Sequence, residues 1–470
     1  MWFATVVVFH ILGVLSAAEA VMSTRTTQGT IAWAVSLIAF PYLAVPAYWV
    51  LGRSRFQGYV LERRAGMRTT DQLTSEAREQ IKSFRLPEMG GTEATRAAVA
   101  LAGMPVLTGN AVELLIDGEA TFASILSGIE TAREYVLFQF FIIHDDGIGR
   151  EVKRGLVARA AAGVPVYLLY DEVGCKHLPP AYLQELRDAG VQVAPFNTRK
   201  GAGNRFQINF RNHRKVVVVD GRTAWIGGHN VGDEYLGKDP KFGHWRDTHM
   251  RIEGPAALEA QLSFLEDWRW AVGSLPELDW TPRPAEGGSA AVLIVPSGPA
   301  DATETATLMF IHAINVARER IWIASPYFVP DEAVMAALQL ACLREVDVRI
   351  LIPDKPDHLL VFLAAYSYFD QVEKLGARFF RYTDGFLHEK VMLVDSSTAT
   401  VGTANFDNRS FRLNFEITVI VDDAPFIEDV ERMFEEDFSH SREMHSGELA
   451  AKPWRFRLGV RLARLTSPLQ

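Results

Sequence analysis

The sequence predicts an α/β protein built from two duplicated lobes that pack with pseudo-twofold symmetry, preceded by two transmembrane helices. Three observations lead to this prediction. A sparse motif occurs twice, apolar strand-like runs alternate with helical stretches after residue 105, and two long uncharged runs open the chain. With 470 residues, of which 48% are hydrophobic, the chain can form about three domains and bury a sizeable core.

The two uncharged runs predict a two-helix membrane anchor within residues 1–56. The first extends from Trp2 to Ala18 and the second from Ile31 to Leu51. A helix needs about 20 apolar residues to cross a bilayer, and prolines are tolerated in lipid-embedded helices. A signal peptide is the alternative, because Ala18-Glu19-Ala20 resembles a cleavage site. No Lys or Arg precedes the first run and a second run follows it, which favours two retained spans.

Basic residues beside these runs predict the orientation of the anchor. The connector between the runs carries one basic residue, Arg25. The second run is followed by four more: Arg53, Arg55, Arg63 and Arg64. Since positive charge is enriched on the cytoplasmic side, the bulk of the chain is expected in the cytoplasm. We expect residues 57–105 to form a juxtamembrane linker.

Strands and helices then recur in the same order in two halves, which predicts lobes at 106–280 and 290–450, joined through the Pro- and Gly-rich segment Thr281–Ser289. The corresponding strand-like runs are Val136–Ile143 with Ile321–Ala324, Val164–Tyr170 with Val346–Ile352, and Val216–Val219 with Val391–Val394.

The first half is longer by an 11-residue insertion (23 − 12, counted from Gly190 to His213 and from Gly376 to His388) near Asn197–Phe210. The insertion carries Arg199, Lys200 and Arg205 with Phe206 and Phe210. A solvated surface loop and a rim that faces a phosphate or headgroup both fit this composition, and the sequence leaves the choice open.

The repeated motif is the strongest functional signal in the chain. Its copies are His213-x-Lys215-x4-Asp220-x6-Gly227-Gly228-x-Asn230 and His388-x-Lys390-x4-Asp395-x6-Gly402-Thr403-x-Asn405. Five positions match at the same spacing in copies that lie 175 residues apart (388 − 213). A single His-x-Lys is usually an ordinary surface pair, but two copies in register argue against that interpretation.

These residue types suit phosphoryl transfer through a covalent histidine intermediate. Alternation along a strand places each His and its Lys on one face, so both pairs meet if the lobes pack about a twofold axis. One neutral imidazole then attacks phosphorus while the other, protonated, donates to the leaving oxygen. The candidate catalytic set is His213, Lys215, Asp220, His388, Lys390 and Asp395. Within this set, turn-capping or ion pairing is favoured over direct chemistry for the two aspartates, which end their strands.

Other side chains are expected to bind the phosphate or to orient the histidines. Asn230 and Asn405 are the candidates for hydrogen bonds to phosphate oxygens. Asp247, 34 residues after His213, and Glu416, 28 residues after His388, are the candidates for the acceptor that fixes the tautomer of each imidazole. No spacing typical of a metal site occurs, and the two cysteines are not near each other in sequence. We therefore expect no required metal or other cofactor.

The paired motifs resemble the signature of the phospholipase D superfamily, and further segments resemble its bacterial cardiolipin synthases. These segments are Asn230–Tyr235, Trp245–His249, Ser297–Pro299, Pro326–Pro330, Gly385–His388 and Asn405–Ser410. The resemblance covers nearly the whole chain, and the two predicted spans fit the membrane-bound branch of the family.

The resemblance implies a phosphatidyltransferase of phospholipid biosynthesis in the bacterial inner membrane. One histidine, with His213 the expected nucleophile and His388 the acid and then the base, would attack phosphatidylglycerol and release glycerol. The hydroxyl of a second phosphatidylglycerol would resolve the phosphatidyl-histidine and give cardiolipin. The partners implied are phosphatidylglycerol and anionic membrane lipid.

Three other functions remain as alternatives. A lipid hydrolase or a headgroup-exchanging phosphatidyltransferase would use the same covalent step with water or another alcohol. A nucleic-acid phosphodiesterase would usually be basic, whereas this chain has a net charge of −9. An inactive membrane scaffold is disfavoured by the intact motifs.

The segment 451–470 is predicted to be a basic amphipathic tail. Trp454, Leu458, Leu462 and Leu465 follow helical spacing, with arginines between them. Such a helix can lie on an anionic leaflet or dock on its own lobe, and the sequence does not distinguish the two. The apolar run Leu359–Tyr368 is expected in the core rather than in contact with a membrane.

Overall fold

A computed structural model describes residues 2–23, 27–52, 56, 58–60, 79–86, 93–196, 209–445 and 447–470. The described chain is dominated by one large sheet of 16 strands, with helices packed on it and an N-terminal helical hairpin. Two short parallel pairs, β12 with β18 and β8 with β15, lie outside the large sheet.

The strands have the following bounds: β1 Leu107–Ile116, β2 Val136–Phe140, β3 Val166–Tyr170, β4 Gln192–Pro195, β5 Arg211–Asn212, β6 Val216–Val219, β7 Thr223–Gly227, β8 Trp245–Arg246, β9 Thr248–Glu253, β10 Ala290–Ser297, β11 Arg320–Ala324, β12 Phe328–Val329, β13 Asp347–Pro353, β14 Arg378–Tyr382, β15 Phe386–Leu387, β16 Val391–Val394, β17 Thr398–Gly402, β18 Phe406–Asp407, β19 Asn414–Asp422 and β20 Ser441–Glu443.

The helices of more than three residues have the following bounds: Trp2–Ser23, Thr27–Ala39, Pro41–Ala47, Glu93–Ala102, Asp117–Thr131, Gly147–Ala161, Pro180–Asp188, Ala257–Val272, Thr305–Val316, Glu332–Leu343, Leu359–Glu373, Asn408–Arg412, Ala424–Ser439, Glu448–Ala451 and Trp454–Arg464, with a π-helical turn at Tyr48–Gly52 and 3₁₀ turns at Ile81–Phe84 and Asp233–Leu236. The chain ends in a further 3₁₀ turn, Ser467–Leu469.

The strand order repeats on both sides of the middle of the sheet. From one edge the order is β4-β3-β2-β6-β7-β9-β1, and from the other side β14-β13-β11-β16-β17-β19-β10 follows the same plan. In each set the first three strands are parallel and the rest antiparallel. The equivalent strands β1 and β10 pair antiparallel at the centre, with Leu107 opposite Val292. This pairing is the one that a twofold axis between the lobes requires.

A core shared by both lobes holds the halves together. Along β6, Val216 and Val218 point into this shared core, whereas Val217 points into a core that belongs to the first lobe. The equivalent strand β16 divides its side chains between the shared core and one that belongs to the second lobe. Strands that are buried on both faces are continuously apolar, which explains the unbroken runs in the sequence.

The N-terminal hairpin agrees only in part with the predicted pair of transmembrane helices. Within the described residues, one helix, Trp2–Met22, is long and apolar enough to cross a membrane. The second apolar run is divided at Phe40, which has a non-helical backbone (φ −135°, ψ 56°) before Pro41. Proline lacks a backbone N–H and disfavours the helical conformation of the preceding residue, so the predicted continuous second helix is wrong.

The two arms of the hairpin nevertheless pack closely. A Cβ on Gly13 would lie 2.4 Å from the carbonyl oxygen of Leu37, so glycine is needed where the arms meet. Trp49 Nε1 donates a hydrogen bond of 3.1 Å to Ser16 Oγ across the hairpin. Small residues and polar cross-links of this kind characterise helix pairs in lipid. The arginines that were used to predict orientation lie outside the described residues.

Two aromatic residues attach the hairpin to the lobes. Phe56 and Tyr59 are buried in the shared core, and the Tyr59 ring centroid lies 4.9 Å from that of Phe415. Phe210, which the sequence placed in the inserted segment, is fully buried and lies 5.1 Å from Phe56. It is therefore a core residue, whereas Arg199, Lys200, Arg205 and Phe206 lie outside the described residues.

Candidate active site

Each histidine of the repeated motif is held by a backbone hydrogen bond to the opposite lobe. The short strand β5 runs parallel to the start of β19, and β15 runs parallel to β8. Directly after these strands, His213 N donates to Phe415 O at 2.9 Å and His388 N donates to Arg246 O at 2.7 Å. Phe415 precedes Glu416 and Arg246 precedes Asp247 in sequence. Each histidine is therefore placed beside a carboxylate from the other lobe.

The side chains complete these crossed pairs. His213 Nδ1 lies 2.9 Å from Glu416 Oε2, and His388 Nδ1 lies 2.7 Å from Asp247 Oδ2. Both carboxylates are fully buried. A carboxylate accepts and does not donate, so each Nδ1 carries the proton and each Nε2 keeps its lone pair. The sequence counted each carboxylate from the histidine of its own half, whereas the structure pairs it with the histidine of the other half.

Glu416 is more completely hydrogen-bonded than the sequence indicated. It accepts hydrogen bonds from Thr403 Oγ1 at 2.6 Å, Ser410 Oγ at 2.8 Å and Asn414 Nδ2 at 3.0 Å. Burial raises the pKa of Glu416, but nearby His213 and Lys215 outweigh burial and hold it below the ordinary value. Glu416 is therefore an anion that can fix the orientation of His213.

The lysines of the two motifs lie beneath the histidines. Lys215 Nζ donates to His213 O at 2.7 Å, and Lys390 Nζ donates to His388 O. Lys390 Nζ also lies 3.9 Å from Asp247 Oδ2 and 2.7 Å from His388 Nδ1, where two donors approach each other closely. Burial lowers the pKa of Lys390 to about 8, and burial together with the nearby Lys390 lowers the pKa of Lys215 well below its ordinary value. An anionic phosphate would relieve this crowding of positive charge.

Both imidazoles are neutral at physiological pH. Burial, with added repulsion from the two lysines, lowers the pKa of His213 to about 4. The pKa of His388 is also well below its ordinary value, chiefly because of burial and next because of Lys390. Either Nε2 is therefore available as a nucleophile. Protonation of one ring requires a negative charge nearby, such as a bound phosphodiester.

The two asparagines differ in how far their amides are already engaged. Asn230 Oδ1 accepts from Ile142 N at 3.1 Å, and its Nδ2 donates to Tyr235 Oη at 3.0 Å. Asn405 Oδ1 is buried and has no hydrogen-bond partner in the described part of the chain. Asn230 therefore supports its own lobe and retains only one amide hydrogen for a phosphate, a smaller capacity than the sequence suggested.

The glycines of the first motif make room for the orienting carboxylate. A Cβ on Gly228 would lie 2.0 Å from Asp247 Oδ1, and one on Gly227 would lie 2.4 Å from His249 Cα. In the second motif Thr403 takes the place of Gly228, and its hydroxyl donates to Glu416 instead. The change from Gly-Gly to Gly-Thr is thus the sequence signal that could have identified Thr403 as part of the site.

Asp220 and Asp395 cap turns, which is the role that the sequence favoured for them over direct chemistry. Asp220 accepts hydrogen bonds from the backbone N–H groups of Arg133, Glu134 and Tyr135 at 3.0, 2.7 and 2.9 Å. Asp395 accepts equivalent bonds from residues 318–320. Both have a left-handed backbone, with φ of 55° and 52°. They close the turn at the far end of β6 or β16, roughly 16 Å from the motif lysine at about 3.3 Å per residue.

Nearly the whole chain is similar to known proteins of one family. A family model described as "Cardiolipin synthase, PLD-like domain" matches residues 125–258 and 310–438. The chain is 49% identical over 463 residues to a cardiolipin synthase A of Pseudomonas fluorescens, covering 98% of this chain and 96% of that protein. A cardiolipin synthase A of Pseudomonas aeruginosa is also 49% identical, with 98% and 94% covered.

Among solved structures, the phosphatidylserine synthase of Haemophilus influenzae superposes with a TM-score of 0.62 at 16% identity. The match covers 81% of this chain and all of that one. At this identity the likeness concerns the fold, and it agrees with the duplicated α/β architecture.

The capping role of Asp220 predicts a loss of stability on substitution. We expect Asp220→Ala to lower the free energy of unfolding by about 2–4 kcal/mol, because several charge-assisted hydrogen bonds to backbone are lost. Asp220→Asn, which keeps one acceptor oxygen and tolerates a left-handed backbone, should cost less. Denaturant unfolding of the detergent-solubilised protein, followed by circular dichroism, measures both. An Asp220→Ala protein of unchanged stability that has lost turnover would contradict this role.

The low histidine pKa predicts an unusual acid limb in the pH–rate profile. Because the pKa of His213 is lowered to about 4, the neutral nucleophile persists as pH falls and is lost only near that value. kcat/KM should therefore not fall as pH is lowered through 6.5, the ordinary pKa of histidine. A limb centred at that ordinary value would contradict the prediction.

The lysine pKa predicts the alkaline limb. Lys390 has a pKa of about 8 and loses its charge as pH rises through that value, so kcat/KM should fall there. Lys390→Arg keeps a positive charge at all accessible pH, so in any residual activity of this variant the limb should move to higher pH. An alkaline limb that is identical in both proteins would assign it to another group.

Proposed function

The chain belongs to the cardiolipin synthase family of PLD-like proteins, and on that premise we propose that it transfers a phosphatidyl group from one phosphatidylglycerol to another. The products are cardiolipin and glycerol. The observation that carries the proposal is the pair of buried imidazoles, each with its Nδ1 proton directed at a carboxylate from the opposite lobe. This arrangement leaves two Nε2 atoms to perform nucleophilic and acid–base chemistry on one phosphate.

In the first step, His213 Nε2 attacks the phosphorus of phosphatidylglycerol. The bond between phosphorus and the glycerol oxygen breaks, and His388 gives its Nε2 proton to that oxygen. Glycerol leaves and the phosphatidyl group stays on His213. The bound phosphodiester supplies the negative charge that allows His388 to be protonated beforehand.

In the second step, His388 acts as the base. It removes the proton from the primary hydroxyl of a second phosphatidylglycerol, whose oxygen attacks the phosphorus. The phosphorus–nitrogen bond to His213 breaks and cardiolipin leaves. Over the two steps the phosphatidyl group has passed from one phosphatidylglycerol to the other, and His388 has regained the proton that it gave to glycerol. Lys215 and Lys390 stabilise the charge on the non-bridging oxygens, with Asn405 as a further hydrogen-bonding group.

The environment of the carboxylates supports these roles. Glu416 accepts three neutral hydrogen bonds besides that from His213, which disperses its charge. Asp247 receives the backbone N–H of Thr248 at 2.8 Å and lies near Lys390. A carboxylate with fewer neutral donors stabilises an imidazolium more strongly, which favours His388 as the residue that carries the proton.

We further propose that the protein is anchored in the bacterial inner membrane by two spans, with the lobes in the cytoplasm. The helix Trp2–Met22 is one span. The divided arm from Thr27 to Gly52 would be the other, because it packs against the first and its break at Phe40 is tolerable where a neighbouring helix is present. Substrate and enzyme then share one phase, which raises their effective concentration.

The covalent step predicts a trapped intermediate. Protein mixed with phosphatidylglycerol and quenched with denaturant within one turnover should gain the mass of a phosphatidyl group on the peptide that contains His213. His213→Ala should lose the adduct. His388→Ala, an equally conservative truncation of the partner ring, should form it slowly and retain it, because the base for the second step is missing. An adduct on His388 in the native protein would exchange the two roles.

Analysis of the product lipids separates transfer from the alternatives. Reconstituted protein with phosphatidylglycerol should give cardiolipin and glycerol in equal amounts. Accumulation of phosphatidic acid with little cardiolipin would instead identify a hydrolase. New phospholipids formed only with added alcohols would identify a headgroup-exchange enzyme.

A further inference from the structure

The C-terminal helix Trp454–Arg464 is docked on the second lobe by only one of its faces. Val460 and Ala463 are buried, and the ring of Phe456 lies 5.1 Å from that of Tyr366 in the helix Leu359–Glu373. These inward residues satisfy the packing of the tail on its own lobe. The sequence left open whether the tail docks on its own lobe or lies on an anionic leaflet. A helix that is docked by one face can do both.

The opposite face of this helix is apolar and exposed. The exposed fractions are 63% for Trp454, 49% for Leu458, 58% for Leu462 and 76% for Leu465. Leu359 and Leu360, in the first turn of the helix beneath, are also exposed, by 65% and 49%. We call these six residues the C-terminal patch. Exposed apolar side chains at regular helical spacing indicate a binding surface.

The charge around the patch indicates what kind of surface it binds. Four exposed arginines alternate with its apolar residues, namely Arg455, Arg457, Arg461 and Arg464. No Asp or Glu occurs between residues 449 and 470. A helix with large apolar side chains and only positive charges is complementary to the interface of an anionic bilayer, where acyl chains and phosphates lie at adjacent depths.

The duplication provides an internal comparison. The helix Pro180–Asp188 connects β3 to β4 in the first lobe, as Leu359–Glu373 connects β13 to β14 in the second. In the first turn of that first-lobe helix the exposed residues are Pro180 and Ala181, and the exposed residues further along are polar or charged: Gln184, Glu185, Arg187 and Asp188. The fold therefore does not require exposed leucines at this place.

Contacts at both ends connect the patch to the site and to the N-terminal anchor. The last residue, Gln470, accepts a hydrogen bond of 2.7 Å at its carbonyl oxygen from Arg409 N, and Arg409 Nη2 donates to Asn209 O at 2.5 Å. Asn209 precedes Phe210, whose ring packs on Phe56 directly after the anchor. At the other end, Leu359 lies two residues after Asp357. The Asp357 carboxylate accepts a hydrogen bond from Tyr327 and acts electrostatically on Lys390.

We propose that the C-terminal patch is a second membrane contact, which docks on an anionic lipid surface beside the active site. The N-terminal hairpin retains the protein at the bilayer, and the patch fixes the orientation of the lobes against it. Lipid headgroups would then reach the histidines without a large displacement of lipid from its leaflet. Docking of the patch is a lipid contact and does not depend on turnover.

Site-specific fluorescence in the full-length protein tests this docking. Cys175 and Cys342 are buried, so Leu458→Cys offers one accessible thiol for the polarity-sensitive fluorophore NBD. Ala181→Cys, at an exposed position of the equivalent first-lobe helix, is the matched control. Each protein is reconstituted in vesicles of phosphatidylcholine alone or of equal parts phosphatidylcholine and phosphatidylglycerol. Spin-labelled lipid then reports the depth of the fluorophore by quenching.

At position 458 we expect an emission increase of roughly threefold in the anionic vesicles, with quenching from about 5–10 Å below the headgroups. Position 181 should show neither effect. Replacing Arg455, Arg457 and Arg461 by Gln in the Leu458→Cys protein should abolish most of the increase. Equal signals in both vesicle types, no quenching at position 458, or a signal that depends on protein concentration instead of lipid would overturn the proposal. The last result would identify a second copy of the chain as the occupant.

Discussion

The site depends on two backbone hydrogen bonds that cross between the lobes. The bonds run from His213 N to Phe415 O and from His388 N to Arg246 O. Each acceptor residue is followed in sequence by a carboxylate residue, so each imidazole lies beside a carboxylate of the opposite lobe. Neither lobe contains a complete site, because the histidine comes from one half and its orienting acceptor from the other. The shared core and the central pairing of β1 with β10 hold both crossings in register. The chemistry thus requires two lobes, since a single lobe would leave its histidine without a fixed tautomer.

Burial of the charged groups explains why an anionic substrate completes the site. Two lysines and two histidines share a space with two carboxylates, and burial lowers the pKa of all four basic groups. This arrangement is costly in the empty protein and favourable once a phosphate binds. In the proposed mechanism both rings begin neutral, and the substrate itself raises the proton affinity of the ring that acts as the acid. The pseudo-symmetry is broken by small changes such as Thr403 in place of Gly228.

Much of this arrangement could be predicted from the sequence. The features that could not be predicted were missed for physical reasons. The valine run of β6 and its equivalent in β16 were predicted at their observed bounds, because strands buried on both faces are continuously apolar. The two His-Lys pairs were predicted from spacing alone. The crossed pairing of each histidine with a carboxylate of the other lobe could not be predicted, because it depends on two strands of only two residues each. β5 pairs with β19 about 200 residues away in sequence, and β15 pairs with β8 about 140 residues away. The break at Phe40 was missed because Pro41 was expected to be tolerated within a lipid-embedded helix.

The central claim is that each histidine takes its orientation from the carboxylate of the opposite lobe. Nitrogen NMR of protein labelled with ¹⁵N-histidine reports which ring nitrogen carries the proton. Glu416→Gln should change the tautomer signal of His213 and leave that of His388 unchanged, and Asp247→Asn should do the reverse. If Glu416→Gln instead altered His388, the histidine of its own half, the crossed arrangement would be wrong and with it the mechanism built on that arrangement.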